Sequence, residues 1–301
     1  MFSNHKRIPK RMLRSFQTSG FVCGLFFIFF LPQDNLAGDG ARPRFSEALK
    51  AEAIQPFLEN FRAQRLQGDF CFKFLLEHLP RRGRTVRYEG TLWGSWNENG
   101  PVTRFSIDPI STREELHTLP LMEWITQNGR NSKVWSRVGG KASFVALKET
   151  ALMQPLFEGV LYRPFDLLMP FIYWDQYKYE GPKAIRTRLV HQFLMQPPAG
   201  LNLSQVHAVR MGLDSQYQAL MRIEILDTKK KVATRFEVES FKKVQAQYIV
   251  KGITLGETER GERTRFRVIA AAVGLQLPES VFDPENLTAP PLISTDRFTD
   301  L

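Results

Sequence analysis

The run Phe70-Cys71-Phe72-Lys73-Phe74-Leu75-Leu76-Glu77 decides the fold class, because its large apolar residues fall at every second position. A period of two places Phe70, Phe72, Phe74 and Leu76 on one face of a β-strand and Cys71, Lys73, Leu75 and Glu77 on the other. The next run, Arg84 to Asn97, puts Val86, Tyr88, Leu92 and Trp96 in one parity. Asn97-Glu98-Asn99-Gly100 supplies a turn, and Val102 to Asp108 reads as a third strand. Three more strands are expected within 119–147, with Asn128-Gly129 and Gly139-Gly140 as turns.

Strand signals return downstream at Ile185–Gln196, Val206–Leu213, Tyr217–Leu226, Val232–Ser240, Gln245–Thr254 and Thr264–Val273. Tyr217, Ala219, Met221, Ile223 and Ile225 form one face, as do Val232, Thr234, Phe236 and Val238. Links as tight as Asp214-Ser215 and Asp227-Thr228-Lys229-Lys230 require antiparallel neighbours. The chain lacks the strand–helix alternation of a doubly wound parallel sheet. The expected fold is α+β and β-dominated: a curved antiparallel sheet, an incomplete β-barrel, with helices covering a hydrophobic cavity.

Two helical regions interrupt this pattern. Phe45 to Leu66 carries Leu49, Ala53, Phe57, Leu58 and Phe61 at helical spacing, with Ser46 as N-cap. Pro56 predicts a kink or a break within it. Lys148 to Tyr179 is rich in Leu, Met, Phe and Pro without alternation. Short helices are expected there, including Pro164 to Phe171, either as core or as a lid over the cavity.

The N-terminus has the order of a secretory signal: basic from His5 to Arg14, apolar from Gly20 to Leu31, then small residues at Ala37, Gly38 and Ala41. Twelve apolar residues fall short of the roughly 20 that span a bilayer. The expected division is 1–38 as signal peptide, cleaved near Ala37 or Gly38, 39–287 as one domain, and 288–301 as a loosely held tail. A retained anchor is the competing reading. The mature chain is expected not to span a membrane.

The chain has 301 residues, a net charge of +10, 43% hydrophobic residues, and 24 Phe against 7 Tyr and 5 Trp. Phe has no polar handle, so this surplus suits a dry interior. Residues 1–38 carry five basic side chains and Asp34, which leaves about +6 on the mature chain. That excess favours an anionic surface. No basic helix or RNA-binding aromatic signature points to nucleic acid. Of the two cysteines, Cys23 lies in the leader, so Cys71 has no disulfide partner and reads as a buried thiol.

The chemistry search yields no P-loop, dinucleotide fingerprint, zinc-protease helix or nucleophile elbow. His5, His78, His117, His191 and His207 lack ligand spacing; His191 and His207 could meet only across a sheet. Asp166, Asp175 and Glu180, or Glu257 and Glu259, offer carboxylate pairs no denser than chance among 31 acidic residues. No metal site, cofactor or enzymatic activity is expected.

One resemblance adds to this reading. The order Val209-Arg210-Met211-Gly212-Leu213-Asp214, Leu220 to Asp227, Arg235-Phe236-Glu237-Val238, Lys242-Lys243-Val244, Tyr248-Ile249-Val250 and Thr264-Arg265-Phe266-Arg267-Val268 carries it. So does the closing phrase from Leu277 to Leu287, with Phe165-Asp166-Leu167-Leu168, Trp174-Asp175 and Tyr179-Glu180-Gly181 upstream. The segment from Arg186 to Leu287 resembles the LolA-like family of outer-membrane lipoprotein-sorting proteins. The resemblance implies an incomplete barrel whose cavity receives lipoprotein acyl chains or another lipid in the periplasm, without catalysis, between membrane-bound donor and acceptor proteins. It also implies an arginine that holds the lid, for which Arg84, Arg87 and Arg104 are candidates by region. The expected lining is Phe70, Phe72, Phe74, Val86, Tyr88, Leu92 and Trp96. The alternative is an interaction module on the same fold, such as an envelope-stress sensor or exporter accessory, with its cavity filled by side chains.

Overall fold

The computed structural model describes residues 47–108, 120–139, 141, 143–201, 203, 205–286 and 288–301. The leader, its cleavage site and the Ser46 cap lie outside the described residues.

Among the described residues, fourteen strands build one antiparallel sheet. The first half is a meander: β1 (Asp69–Leu79), β2 (Val86–Asn97), β3 (Gly100–Ile107), β4 (Met122–Gln127), β5 (Lys133–Val138) and β6 (Val145–Ala146). The second half is another: β7 (Tyr177–Ile185), β8 (Arg188–Met195), β9 (Ala208–Asp214), β10 (Leu220–Leu226), β11 (Val232–Val244), β12 (Gln247–Glu257) and β13 (Arg263–Leu275). Pairing of β1 with β13 joins the two into the order β6-β5-β4-β3-β2-β1-β13-β12-β11-β10-β9-β8-β7. The sheet does not close, since β6 and β7 end the path.

Its curl follows from where the apolar residues meet. Phe105 and Trp124 of the first meander share one buried cluster with Phe193, Met211 and Phe236 of the second. A flat sheet of this width could not bring them together, so the alternating faces close round a common interior. The outer face carries ion pairs that cross the strands. Arg210 bridges Glu180 and Glu224, Arg235 reaches Glu224, Arg265 reaches Glu239, and Arg87 and Arg267 flank Glu77. These make the sheet's exterior polar; exposed pairs contribute about 0–1 kcal/mol each, while the buried Glu77 and Glu224 depend on the arginines that flank them.

Helix α1 (Ala51–Ala63) lays Phe57, Leu58 and Phe61 on the interior. It runs unbroken through Pro56, contrary to the expected kink or break. Pro56 faces solvent, where the carbonyl that loses its partner can be hydrated. Residues 148–174 contain α2 (Pro164–Leu168) and two single 3-10 turns, Glu149–Ala151 and Pro170–Tyr173. The expected helix Pro164–Phe171 therefore stops early, at Met169, whose φ of 42° is left-handed.

Ile185–Gln196 is the second arm of a hairpin, turning at Arg186 (φ 53°), and Tyr177–Ile185 is its first strand. The burial of that strand alternates weakly, so its sequence shows little period. At the end of the C-terminal tail, β14 (Thr299–Asp300) pairs with Ala270 and Ala271 of β13, and Lys73 sits 4.9 Å over the Phe298 ring. No helix among the described residues is long and apolar enough to cross a membrane.

Candidate functional site

The interior is built from sheet residues that alternate inward, from α1, and from the segment 147–174. Phe70 and Phe74 open it. Each stands opposite a glycine on β2, Phe70 facing Gly94 and Phe74 facing Gly90. The bare backbone leaves room for each ring, and a Cβ on Gly90 would come within 2.5 Å of Phe74. Phe105 and Trp124 stack at 4.9 Å, and Phe157 packs edge-on against Tyr88 at 5.0 Å.

The segment 147–174 fills what would otherwise be hollow. Its Leu156, Phe157, Tyr162 and Leu167 meet Phe74 and Phe266 around a wholly apolar cavity of about 20 Å³. A second apolar cavity, of about 10 Å³, lies under Met169 between Ile223, Phe236 and Ile253. The segment is tied to the sheet by few polar contacts. The buried Asn128 side chain donates to the Leu167 and Leu168 carbonyls at 3.0 and 2.8 Å, and the Leu161 amide donates to Thr264 Oγ1 at 3.1 Å. Arg62 of α1 donates to the Ile172 and Trp174 carbonyls. Among the described residues the buried Tyr162 hydroxyl finds no hydrogen-bond partner, and desolvation holds its pKa well above the ordinary value.

Of the residues expected to line the cavity, Phe70, Phe72, Phe74, Tyr88 and Leu92 lie together in the interior, and Phe74 borders its cavity. Val86 and Trp96 do not join them. Val86 begins β2 opposite His78 at the open end of the strand pair and is 40% exposed. Trp96 is half-buried near the far end, beneath Arg65. The middle segment's contribution was not legible as lining, because its residues have no period. The one signal was its apolar composition between two sheet blocks.

The arginine candidates lie elsewhere. Arg87 pairs with Glu77 on the outer face. Arg104 is fully buried but points away from the interior, since Val102 and Arg104 share the face opposite Phe105. It donates to Glu123 at 2.8 Å and to the Val281 and Thr288 carbonyls, so it clasps the C-terminal segment onto β3. Arg137 shares Glu123, and both arginines flank Phe144.

Other candidate chemistry is accounted for by contacts. Asp166 binds Arg163, Asp175 binds Arg130 and Glu180 binds Arg210, so the carboxylates are held apart by separate partners. His191 pairs in register with Leu213, far along β9 from His207, and its Nδ1 lies 2.7 Å from the Tyr179 hydroxyl. Burial pushes its pKa below 6.5. Cys71 is buried, and desolvation pushes its thiol up to about 12. Among the described residues, no three His, Cys, Asp or Glu side chains gather as a metal site.

An open curled sheet over an apolar interior, covered by one helix and an irregular middle segment, defines the LolA-like fold class. Solved structures agree. A DUF1329 family protein from Desulfovibrio piger matches with a TM-score of 0.66 at 9% identity, covering 79% of this chain and 98% of that one. A putative outer membrane lipoprotein-sorting protein domain from Vibrio parahaemolyticus gives 0.66 at 13% identity, covering 78% and 97%. A LolA superfamily protein from Nitrosomonas europaea gives 0.56 at 13%, covering 77% and 98%. At these identities the likeness is one of fold. No family model and no curated protein matches the sequence.

Proposed function

We propose that this chain is a non-catalytic periplasmic carrier that takes an acyl chain, from a lipoprotein or another lipid, into its apolar interior on the way toward the outer membrane. The observation that carries this reading is the kind of cover the interior has. One face of the sheet is sealed by an irregular segment held through Asn128, Thr264 and Arg62, whose apolar side chains stand where cargo would lie.

The apolar terms taken alone run in the direction of displacement, before the cost of association of about 4–15 kcal/mol. Fourteen methylenes leaving water would gain roughly 11 kcal/mol at about 0.8 kcal/mol each. Expelling Leu156 and Phe157 would cost about 6 kcal/mol at most, taking about 3 kcal/mol for each side chain. The fold likeness to a lipoprotein-sorting domain and a LolA superfamily protein supports the same role, as does the leader pattern at the N-terminus. Donor and acceptor proteins at the two membranes would be its partners, and it would act as a chaperone for the acyl chain between them.

A second reading has one observation behind it. Both inner cavities are small, which suits an interaction module whose interior is filled by side chains. Titration of the mature chain with a fluorescent fatty acid separates the two. Saturable one-to-one binding that quenches tryptophan fluorescence is expected of a carrier. No binding up to the probe's solubility would overturn the carrier reading.

A further inference from the structure

The sheet is forked at one place. The ladder between β10 and β11 runs from Leu226 opposite Val232 to Arg222 opposite Glu237, and stops there. β11 nevertheless continues to Val244 in partnership with β12, while Leu220 stays with Leu213 of β9. Register shifts mark both arms, one across Met221 and two beyond Val238. Bulges of this kind bend a strand away from its neighbour.

A groove of about 320 Å³ opens at this fork, bounded by Tyr217, Met221, Val238, Phe241, Tyr248 and the turn 185–188. Met221 and Val238 also wall the inner cavity beneath Met169. Two apolar side chains thus stand between solvent and the interior. One of them is a methionine, whose unbranched chain swings aside at little cost.

The mouth of the groove carries two arginines that can change partners. Arg186 lies 3.3 Å from Glu237, and Arg188 lies 3.4 Å from Asp214; both arginines are about half exposed. Glu237 keeps a second arginine, and Asp214 keeps backbone donors. Glu237 is also held by Arg222, and Asp214 accepts from the Gln216 and Tyr217 amides at 2.9 and 2.8 Å. Glu239, the remaining charge in the groove, is occupied by Thr254 and Arg265. Turning Arg186 toward another anion leaves Glu237 paired with Arg222, and turning Arg188 leaves the buried Asp214 on its two amide donors.

We propose that the fork between β10 and β11 is the portal of the interior, passing the acyl chain of an anionic amphiphile between Met221 and Val238 while Arg186 and Arg188 hold its carboxylate or phosphate head. The assignment rests on the carrier reading and adds to it a route and a head-group class.

The test uses the mature chain with Cys71→Ala and Met221→Cys, modified by a benzyl methanethiosulfonate that dithiothreitol removes. Stopped-flow uptake of an anthroyloxy-labelled palmitate should slow at least tenfold on modification and recover on reduction, which also shows that the fold was intact. The same modification of Val145→Cys, on the edge strand β6, should change nothing. Unchanged uptake by the modified Met221→Cys protein would overturn the portal and leave the carrier reading standing. Absence of binding by the unmodified protein would remove both. For the head group, Arg186→Gln with Arg188→Gln should erase a preference for the labelled acid over its neutral alcohol. Retention of that preference would overturn the arginine assignment.

Discussion

Phe70 and Gly94 face each other across the β1–β2 ladder, and the ring occupies the space a Cβ on Gly94 would need. Two ring atoms of Phe70 lie 2.5 Å from that position, too close for any side chain. Phe74 and Gly90 repeat the relationship four residues along. Gly94→Ala should therefore destabilise the fold by about 1–3 kcal/mol, the range of overpacked cores. Urea unfolding would measure it. A loss below about 0.5 kcal/mol, the range of neutral surface changes, would mean that the ring moves freely.

Asn128 joins the β4–β5 turn to the segment 147–174, the plug of the interior, through two carbonyls. Asn128→Ala should cost about 1–3 kcal/mol, because it leaves both carbonyls buried without a donor. Hydrogen exchange should quicken in 160–170 and not in β8 or β9. Uniform exchange across the chain would show that the plug does not open separately from the sheet.

The Tyr162 hydroxyl costs free energy where it stands. Tyr162→Phe removes a buried unpaired group with little change of shape, so the unliganded protein should gain about 1 kcal/mol. A loss of similar size in denaturant titration would show that the hydroxyl has a partner in solution.

Burial holds the His191 pKa below 6.5. As pH falls through 6.5, the unfolded chain takes up a proton before the folded one does. The folded state consequently loses stability on acidification, over the interval from 6.5 down to the depressed folded value. His191→Gln, which can keep a hydrogen bond to Tyr179, should flatten the slope of stability against pH in that window. An unchanged slope would place the proton elsewhere.

Cys71, pushed up to about 12 by desolvation, should be inert to a disulfide reagent at pH 8 and react only in denaturant. Reaction of the native protein within minutes would contradict its burial.

Much of this architecture was legible in the sequence because its signal is periodic. Phe70, Phe72 and Phe74 revealed their strand and their shared face, and Asp227 with Lys229 to Lys231 revealed a hairpin. The parts that were not legible depend on distant partners. Tyr177–Ile185 is half-exposed along its length, so its alternation is weak. The residues 299–301 find a strand edge on β13 that only the folded sheet provides. Val86 has the parity of an interior residue but lies at the end of its strand, and period alone does not give depth. Arg104 was visible as a candidate, while its face followed only from the burial of Phe105 beside it. The plug residues Leu156 and Phe157 come from an aperiodic stretch, where composition indicates burial but not what the side chains cover.

The most direct test of the carrier reading is mass spectrometry of an organic extract from the full-length protein, expressed with its own leader and purified from the periplasm. An unrelated exported protein purified alongside serves as control. A carrier should yield lipid or acylated peptide at near one equivalent per chain, absent from the control. A clean extract from folded, monodisperse protein that also fails to bind added fatty acid would contradict the carrier reading.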